Sequence, residues 1–350
     1  MVSTMPYDKV KDTMHFLITG HTGFKGAWLS LLLLERGHKV SGVSLKPDDA
    51  SLFARAGVSK LLLNDIVCDI RDYSKLEEHF KVLNPDVVIH FAAQSLVQES
   101  YRDPINTFST NAIGTINVLK ASQAITDLKA QLIVTTDKVY RNIDKLIGYA
   151  EIDPLGGQDP YSASKAMADI ATQSWLISFK NAPTAIARAG NVIGGGDFCA
   201  SRLIPELVAS YSSGLTPKLR APNSVRPWQH VLDCLNGYLI LVDSLLIGRG
   251  NGAWNFGPDK AQIKTVADVA DIAGEIWGVS EKWEQDFNAT PHEAKLLMLN
   301  SDKARNEIGW RDKLSFEESV NWAIIWYRNV HSGNSALDET MRNIRDFESK

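Results

Sequence analysis

The sequence predicts an α/β fold, a doubly wound parallel sheet with a smaller mixed α/β substrate domain. Short apolar runs alternate with helix-period segments through the first half of the chain. A glycine-rich turn follows the first of these runs. After about Ala189 glycines and prolines cluster and the alternation loosens.

"HFLIT" (His15–Thr19) has the apolar content of a buried strand, and "AWLSLLLLERGH" reads as a helix closed by Gly37. "KVSGVSL" is a second strand, and "CDIRD" puts Asp69 and Ile70 where a third would end. Pro85 breaks the preceding helix and admits "DVVIHFAA" (Asp86–Ala93) as another strand. "TFSTNAIGTINVLKASQAI" follows as a helix, "QLIVTT" as a strand, "YSASKAMADIATQSWLISF" as a helix and "TAIARAGNV" as a strand. Strands that are apolar throughout and alternate with helices belong to a parallel sheet covered on both faces. "GNVIGGGDF", "LRAPNSVRPWQH" and "AWNFGP" then break the rhythm. Residues 14–190 with about 226–250 are expected to form a dinucleotide-binding domain. About 191–225 and 251–335 form the substrate domain, and 1–13 and 336–350 are terminal extensions.

Composition excludes several functions. The 350 residues are 44% hydrophobic and 22% charged, enough for a large core in one or two domains. Lys plus Arg is 37 against 41 Asp plus Glu, a formal net charge of −4, and no basic run points to nucleic acid. Cys68, Cys199 and Cys234 are odd in number, far apart and without C-x-x-C spacing. That fits a reducing cytoplasm and supports neither a disulfide framework nor a metal site. "MVSTMPYDKVKDTM" lacks the apolar stretch of a signal peptide. "WLSLLLLERG" falls well short of the roughly 20 residues of a membrane span.

"ITGHTGFKGAW" places Gly20, Gly23 and Gly26 straight after a strand and at the start of a helix. Glycine permits the tight turn and the close approach of a pyrophosphate, while the helix N-terminus offers free N–H groups. The G-x-x-G-x-x-G spacing alone is also that of an ordinary strand-to-helix turn; its place in the first βα turn favours a dinucleotide. The second strand ends near Ser44, Leu45 and Lys46 without the acid that binds a ribose 2′-hydroxyl, so this position leaves NAD against NADP open.

Tyr161 and Lys165 of "PYSASK" stand at i and i+4, on one face of a helix. A lysine cation beside a phenol favours the phenolate, which can accept an alcohol proton. "VTTDKVY" ends a buried strand with Thr136, Asp137 and Lys138, an acid and an amine side by side.

Taken in order, "TGHTGFKG", "HFAAQ", "TTDKVY" and "PYSASK" resemble the extended short-chain dehydrogenase/reductases, whose fold is of the Rossmann type. "RAGNVIGGGDF", "RLIP", "RPWQHVL", "WNFGP" and "PHEAKLL" narrow the resemblance to the nucleotide-sugar 4,6-dehydratases, and among them to the branch acting on CDP-glucose, over about residues 14 to 330. The resemblance implies a lyase that holds NAD. It oxidises the sugar at C4, eliminates water across C5 and C6, and returns the hydride to C6.

By the same resemblance Tyr161 is the base for O4, Lys165 lowers its pKa and binds the nicotinamide ribose, Thr136 bonds O4, and Asp137 is the acid for the departing hydroxyl. Lys138 stands where many relatives carry a glutamate that removes the C5 proton. It is either a neutral base in that role, the favoured reading, or a charged group that stabilises the enolate. Gly20, Gly23, Phe24, Lys25, Gly26, Asp69, Ile70, Ala92, Ala93 and Asn111, with Tyr161 and Lys165, are the implied cofactor residues. Gln94, Asn191, Arg202, Leu203, Arg226, Asn255 and His292 are the implied substrate residues, with a CDP-hexose favoured. Relatives pair through helices of the nucleotide-binding half, so a homodimer or homotetramer is expected. Alternatives are a dehydratase for a GDP- or dTDP-linked hexose, a 4-epimerase that needs no acid–amine pair, and a non-catalytic dinucleotide-binding regulator.

Overall fold

The computed structural model describes residues 12–145, 147–180, 182–200, 202–259, 263–286 and 297–350. Its main sheet holds β1 (His15–Thr19), β2 (Lys39–Ser44), β3 (Asn64–Val67), β4 (Val87–His90), β5 (Ala130–Thr136), β6 (Thr184–Ala189) and β7 (Gly252–Phe256). The order is β7-β6-β5-β4-β1-β2-β3, and every neighbouring pair is parallel. The chain winds outward from β1 to β3, then crosses back to β4 on the other side of β1. The crevice between the ends of β1 and β4 is where such folds bind ligands.

Helices cover both faces because the strands are apolar on both. Phe16, Ile18, Val87 and Ile89 join one core with α1 (Phe24–Glu35) and α6 (Val231–Leu246). Leu17 and Val88, one residue out of phase, join a second core with α2 (Tyr73–Leu83) and α3 (Gly114–Ser122). α4 (Pro160–Ser178) begins where Asp159 accepts a bond from the Ser162 N–H at 2.9 Å and Pro160 fills the first helical position. α5 (Leu203–Ser212) and α7 (Val266–Trp277) lie in the looser part, where Val225–Pro227 pairs antiparallel with Ile263–Thr265. α8 (Phe316–His331) opens with a capping box from Ser315 and Glu318.

Three features differ from expectation. "AWNFGP" is not in the substrate part: it supplies β7, with Trp254, Asn255 and Phe256 buried beside β6. β6–α6–β7 is an ordinary crossover, concealed in the sequence by the segment inserted between β6 and α6. The 336–350 segment, expected as an extension, forms α9 (Ala336–Ser349). Ile344 and Phe347 enter the core, and Arg36–Glu348 and Arg345–Glu35 ion pairs at 2.7 and 2.8 Å tie α9 to α1. The helix expected over "TFSTNAIGTINVLKASQAI" carries a π-turn at Ser109–Ile113, a feature that often marks functional positions.

Candidate active site

The glycine loop lies in the β1/β4 crevice. Gly20 has φ +77°, donates its N–H to the Val43 carbonyl at 2.9 Å, and leaves no room for a Cβ, which would stand 2.6 Å from the Ala92 nitrogen. A Cβ on Gly26 would stand 2.3 Å from the Gly20 carbonyl oxygen. Gly23 caps α1. Only glycine builds this cradle, and its size and helix N-terminus fit a dinucleotide pyrophosphate. Phe24 packs partly buried on the core, and the Lys25 ammonium lies 5.8 Å from the Tyr238 ring centroid. Ala92 and Ala93 line the loop after β4, both half-buried.

At the other end of the crevice, the Arg71 guanidinium bonds both oxygens of Asp69 at 3.0 Å and holds its carboxyl below the usual range. Ile70 is buried against Gly114, where a Cβ would stand 2.5 Å from the Ile70 Cδ1. At the end of β2, Ser44 bonds Thr22 at 2.8 Å and Lys46 is exposed.

α4 carries Tyr161 and Lys165 on one face, against the end of β5. The Lys165 side chain is buried and donates to the Val134 carbonyl at 2.9 Å. Burial lowers its pKa to about 8, with Asp169 opposing and Lys25 reinforcing the shift. The expected lowering of the Tyr161 phenol does not appear. Burial raises it, and this outweighs the pull of Lys138, Thr136 and Arg202. The cation acting on the phenol is Lys138 rather than Lys165, whose ammonium is turned to the Val134 carbonyl.

At the end of β5, the Thr136 hydroxyl donates to Asp137 Oδ1 at 2.8 Å, and Lys138 Nζ donates to the same oxygen at 3.1 Å. Lys138 Nζ also reaches Asn191 Oδ1 at 3.4 Å. Burial works against the Lys138 charge, but Asp137 and Tyr161 outweigh it and raise the pKa above its ordinary 10.5. The favoured expectation of a neutral Lys138 is therefore corrected: the carboxylate beside it keeps the amine protonated.

Arg202 and Arg226 add positive charge around this corner. Arg202 caps α5 ahead of Leu203 and pairs with Asp197 at 2.7 Å. Arg226 bonds the Val225 carbonyl at 2.9 Å and acts on Lys138 through space.

Other expected residues are engaged elsewhere. The Asn111 amide is fully used: Oδ1 accepts from the Gln94 N–H, and Nδ2 donates to the Gln94 carbonyl and to Ser164 Oγ. It ties the loop after β4 to α4 instead of pointing into the crevice. The Gln94 side chain is turned back on its own loop, with Nε2 donating to Thr107 at 2.9 Å and to the Leu96 carbonyl at 3.1 Å. Asn255 is wholly buried; it accepts from the Tyr140 hydroxyl at 2.7 Å and donates to the carbonyls of Tyr149 and Asn300. Its side chain belongs to the core because β7 belongs to the main sheet. His292 lies outside the described residues.

Sequence reasoning missed His90 and the pair Asp169–Arg188. His90 is buried between Thr19 (Nδ1, 2.6 Å) and Thr115 (Nε2, 3.0 Å). Thr115 spends its hydrogen on the Asn111 carbonyl, so His90 Nε2 donates and Nδ1 accepts from Thr19. Burial, helped by Lys165, lowers its pKa to about 3 and keeps the ring neutral. Asp169, four residues beyond Lys165, carried an i,i+4 signal that the sequence offered.

Comparison with known proteins gives the family and the fold. The model of the family described as GDP-mannose 4,6 dehydratase matches residues 17–322. A CDP-glucose 4,6-dehydratase of Salmonella typhimurium is 39% identical over 95% of this chain and 95% of its own. A dTDP-glucose 4,6-dehydratase of Bacillus anthracis, solved in complex with NAD, superposes with TM-score 0.79 at 24% identity, covering 93% of this chain and 100% of that one. A Thermus thermophilus UDP-glucose 4-epimerase solved with NAD gives TM-score 0.77 at 25% identity, over 90% of this chain and 99% of that one.

Proposed function

The chain belongs to the GDP-mannose 4,6 dehydratase family, and from that premise we propose that it converts CDP-glucose to CDP-4-keto-6-deoxyglucose. It is an NAD-dependent nucleotide-sugar 4,6-dehydratase, a lyase. The observation that carries the reading is the convergence of Tyr161, Thr136, Asp137 and Lys138 at the end of β5, beside the glycine cradle. An epimerase has no use for an acid and an amine there.

Gly20, Gly23 and Gly26 hold the pyrophosphate, Asp69 and Ile70 the adenine end, and Lys165 the nicotinamide ribose. NAD held there would supply the hydride acceptor for C4 and the hydride donor for C6. Tyr161, in its phenolate form favoured by Lys138, Thr136 and Arg202, accepts the O4 proton while Thr136 holds O4. Asp137, a carboxylate in the resting site, receives the proton released at C5 and hands it to the departing C6 hydroxyl. Lys138, as an ammonium, stabilises the C5 enolate, while a water molecule takes the C5 proton and passes it to Asp137. Arg202 and Arg226 receive the diphosphate, for which a guanidinium fork suits two oxygens at once.

Residues 14–190 with about 226–256 act as the dinucleotide-binding part, and about 191–225 with 257–335 hold the sugar nucleotide. A homodimer or homotetramer forms through α4 and the helical stretch 104–122 that runs through the π-turn into α3, a reading supported by the exposure of Ile105, Ile113, Met167 and Ile170. The protein works in the cytoplasm, a reading supported by three free cysteines. No helix among the described residues is long and apolar enough to cross a membrane.

The test is a panel of CDP-, dTDP-, GDP- and UDP-hexoses, each deuterated at C4. CDP-glucose should give a 4-keto-6-deoxy product with deuterium at C6. Deuterium returned to C4 would identify an epimerase, and faster turnover of another nucleotide would overturn the CDP assignment.

A further inference from the structure

Tyr161, Lys165 and Asp169 follow one another at i, i+4 and i+8 on α4, so they form a single line facing β5. The strand answers residue by residue: the Val134 carbonyl takes Lys165, the Thr135 hydroxyl goes to Asp169 at 3.0 Å, and Thr136 serves Asp137. Asp169 is wholly buried and four donors converge on it. Oδ1 accepts from Arg188 and Gln173, both at 2.7 Å; Oδ2 accepts from Arg188 Nε at 2.8 Å and from Thr135. Arg188, on β6, is 1% exposed and sends its remaining donors to the Tyr140 hydroxyl and the Glu151 carbonyl.

As core packing this arrangement is poor value. A buried ion pair is seldom more stabilising than apolar groups of the same volume, because both charges lose their hydration. Its position gives it another use. Lys165 has its ammonium in the same dry layer and is not in contact with any carboxylate; its bond is to a carbonyl.

We propose that Asp169, held ionised and immobile by Arg188, is a positioning residue whose field keeps Lys165 charged. The inference deepens the catalytic reading of Lys165 and rests on it for its functional consequence. Other groups around Lys165 do not do this job. His90 on β4 is neutral, and Lys25 on α1 opposes the charge. Asp137 is already committed to Thr136 and Lys138. Arg188 keeps the carboxylate in place but, as a cation beyond it, reduces the field that Lys165 feels. At the roughly 6 Å of an i,i+4 pair and an effective dielectric constant near 20, one charge shifts a neighbour by about two pH units, and Arg188 cuts this to about one.

The test is an NMR titration of the cofactor-free protein labelled with lysine carrying ¹³C at Cε, the Lys165 signal being assigned by its loss in Lys165→Met. Asp169→Asn, which removes the carboxylate and leaves Arg188 in place, should move the Lys165 midpoint down by about two pH units. Asp169→Glu should leave it close to wild type. The double variant Asp169→Asn/Arg188→Gln, which removes both charges of the pair, should fall between them, about one pH unit below wild type. It also carries the measurement if Asp169→Asn does not fold. A Lys165 midpoint that stays fixed in a folded variant, with only thermal stability reduced, makes the pair a mere core fastening and overturns the proposal. The alkaline limb of kcat/KM for CDP-glucose should follow the same order. If the NMR midpoint moves and the limb does not, the catalytic reading of Lys165 fails while the electrostatic assignment stands.

Discussion

Lys138→Met distinguishes two mechanisms of elimination. In the structure the Lys138 ammonium lies 3.1 Å from Asp137 Oδ1, and its pKa stands above 10.5. The amine is then charged near neutral pH, so a neutral-base mechanism carries the penalty of first removing its proton. An ammonium beside the developing enolate carries no such penalty, and a preorganised donor at developing charge is worth on the order of 10²–10³ in rate. The variant should therefore lose about that much in water elimination while C4 oxidation continues. Stopped-flow absorbance should show bound NADH accumulating, and proton NMR in heavy water should show slowed exchange at C5. The wild-type enzyme supplies the decisive comparison. With a charged lysine the C5 exchange rate is flat between pH 7 and 9; with a neutral-lysine base it climbs about tenfold per pH unit. A tenfold climb would show that Lys138 acts as the base after all, and would refute the argument from its ion pair.

Tyr161→Phe removes the proposed O4 base and should reduce turnover by about 10²–10⁴ while CDP-glucose still binds, checked by steady-state kinetics and calorimetry; a wild-type rate would exclude Tyr161 from that role. Gly26→Ala puts a Cβ 2.3 Å from the Gly20 oxygen, against ordinary contact at 3.4 Å or more, so α1 must shift by about 1 Å and NAD affinity should fall more than about tenfold. Gly57→Ala, at φ +60° with no atom within 4 Å, should cost about 1 kcal/mol of stability and leave NAD binding intact, and equal NAD affinities in the two variants would dismiss the cradle. Lys165→Met should stabilise the fold near pH 7. The buried ammonium costs up to about 3 kcal/mol, of which losing the partner of the Val134 carbonyl offsets about 1–3. The native state gives up this proton near pH 8 and the unfolded chain only near 10.5, so wild-type stability gains from this group as pH rises through that window. Urea unfolding at pH 7 and pH 10 should show the variant's advantage shrinking, and an advantage that stays constant would contradict the buried-charge account.

The parts legible in the sequence were those set by local pattern. β4 and β5 are apolar on both faces, which only a doubly covered strand tolerates, and Tyr161–Lys165 spacing states its own geometry on any helix. The illegible parts depend on partners distant in sequence. β7 could not be joined to β6 before α6 was seen to bridge them across an insertion. The amides of Asn111, Gln94 and Asn255 read as ligand groups in the sequence, but Asn111 and Asn255 are satisfied by segments far along the chain and Gln94 by its own loop and Thr107. The charge of Lys138 follows from how closely Asp137 approaches it and from Asn191 and Arg226 arriving from other elements, none of which a motif records.

The end of β5 shows why the chemistry occupies a strand terminus rather than a loop. Four consecutive residues, Val134 to Asp137, each hold one member of the proposed machinery, and each hold is a hydrogen bond to α4 or within the strand end. Such a site is fixed by one strand–helix register, so its members cannot drift independently. The same feature makes it fragile in a particular way. A slip of α4 along β5 would move Lys165 off the Val134 carbonyl and Asp169 off Thr135 together, removing a charge and its counter-charge in one step. The bonds from Asn111 to Ser164 and from Arg188 to Asp169 oppose that slip, one from the π-turn at Ser109–Ile113 and the other from β6. Residues that touch neither cofactor nor substrate in the proposed mechanism therefore govern whether the reacting groups meet.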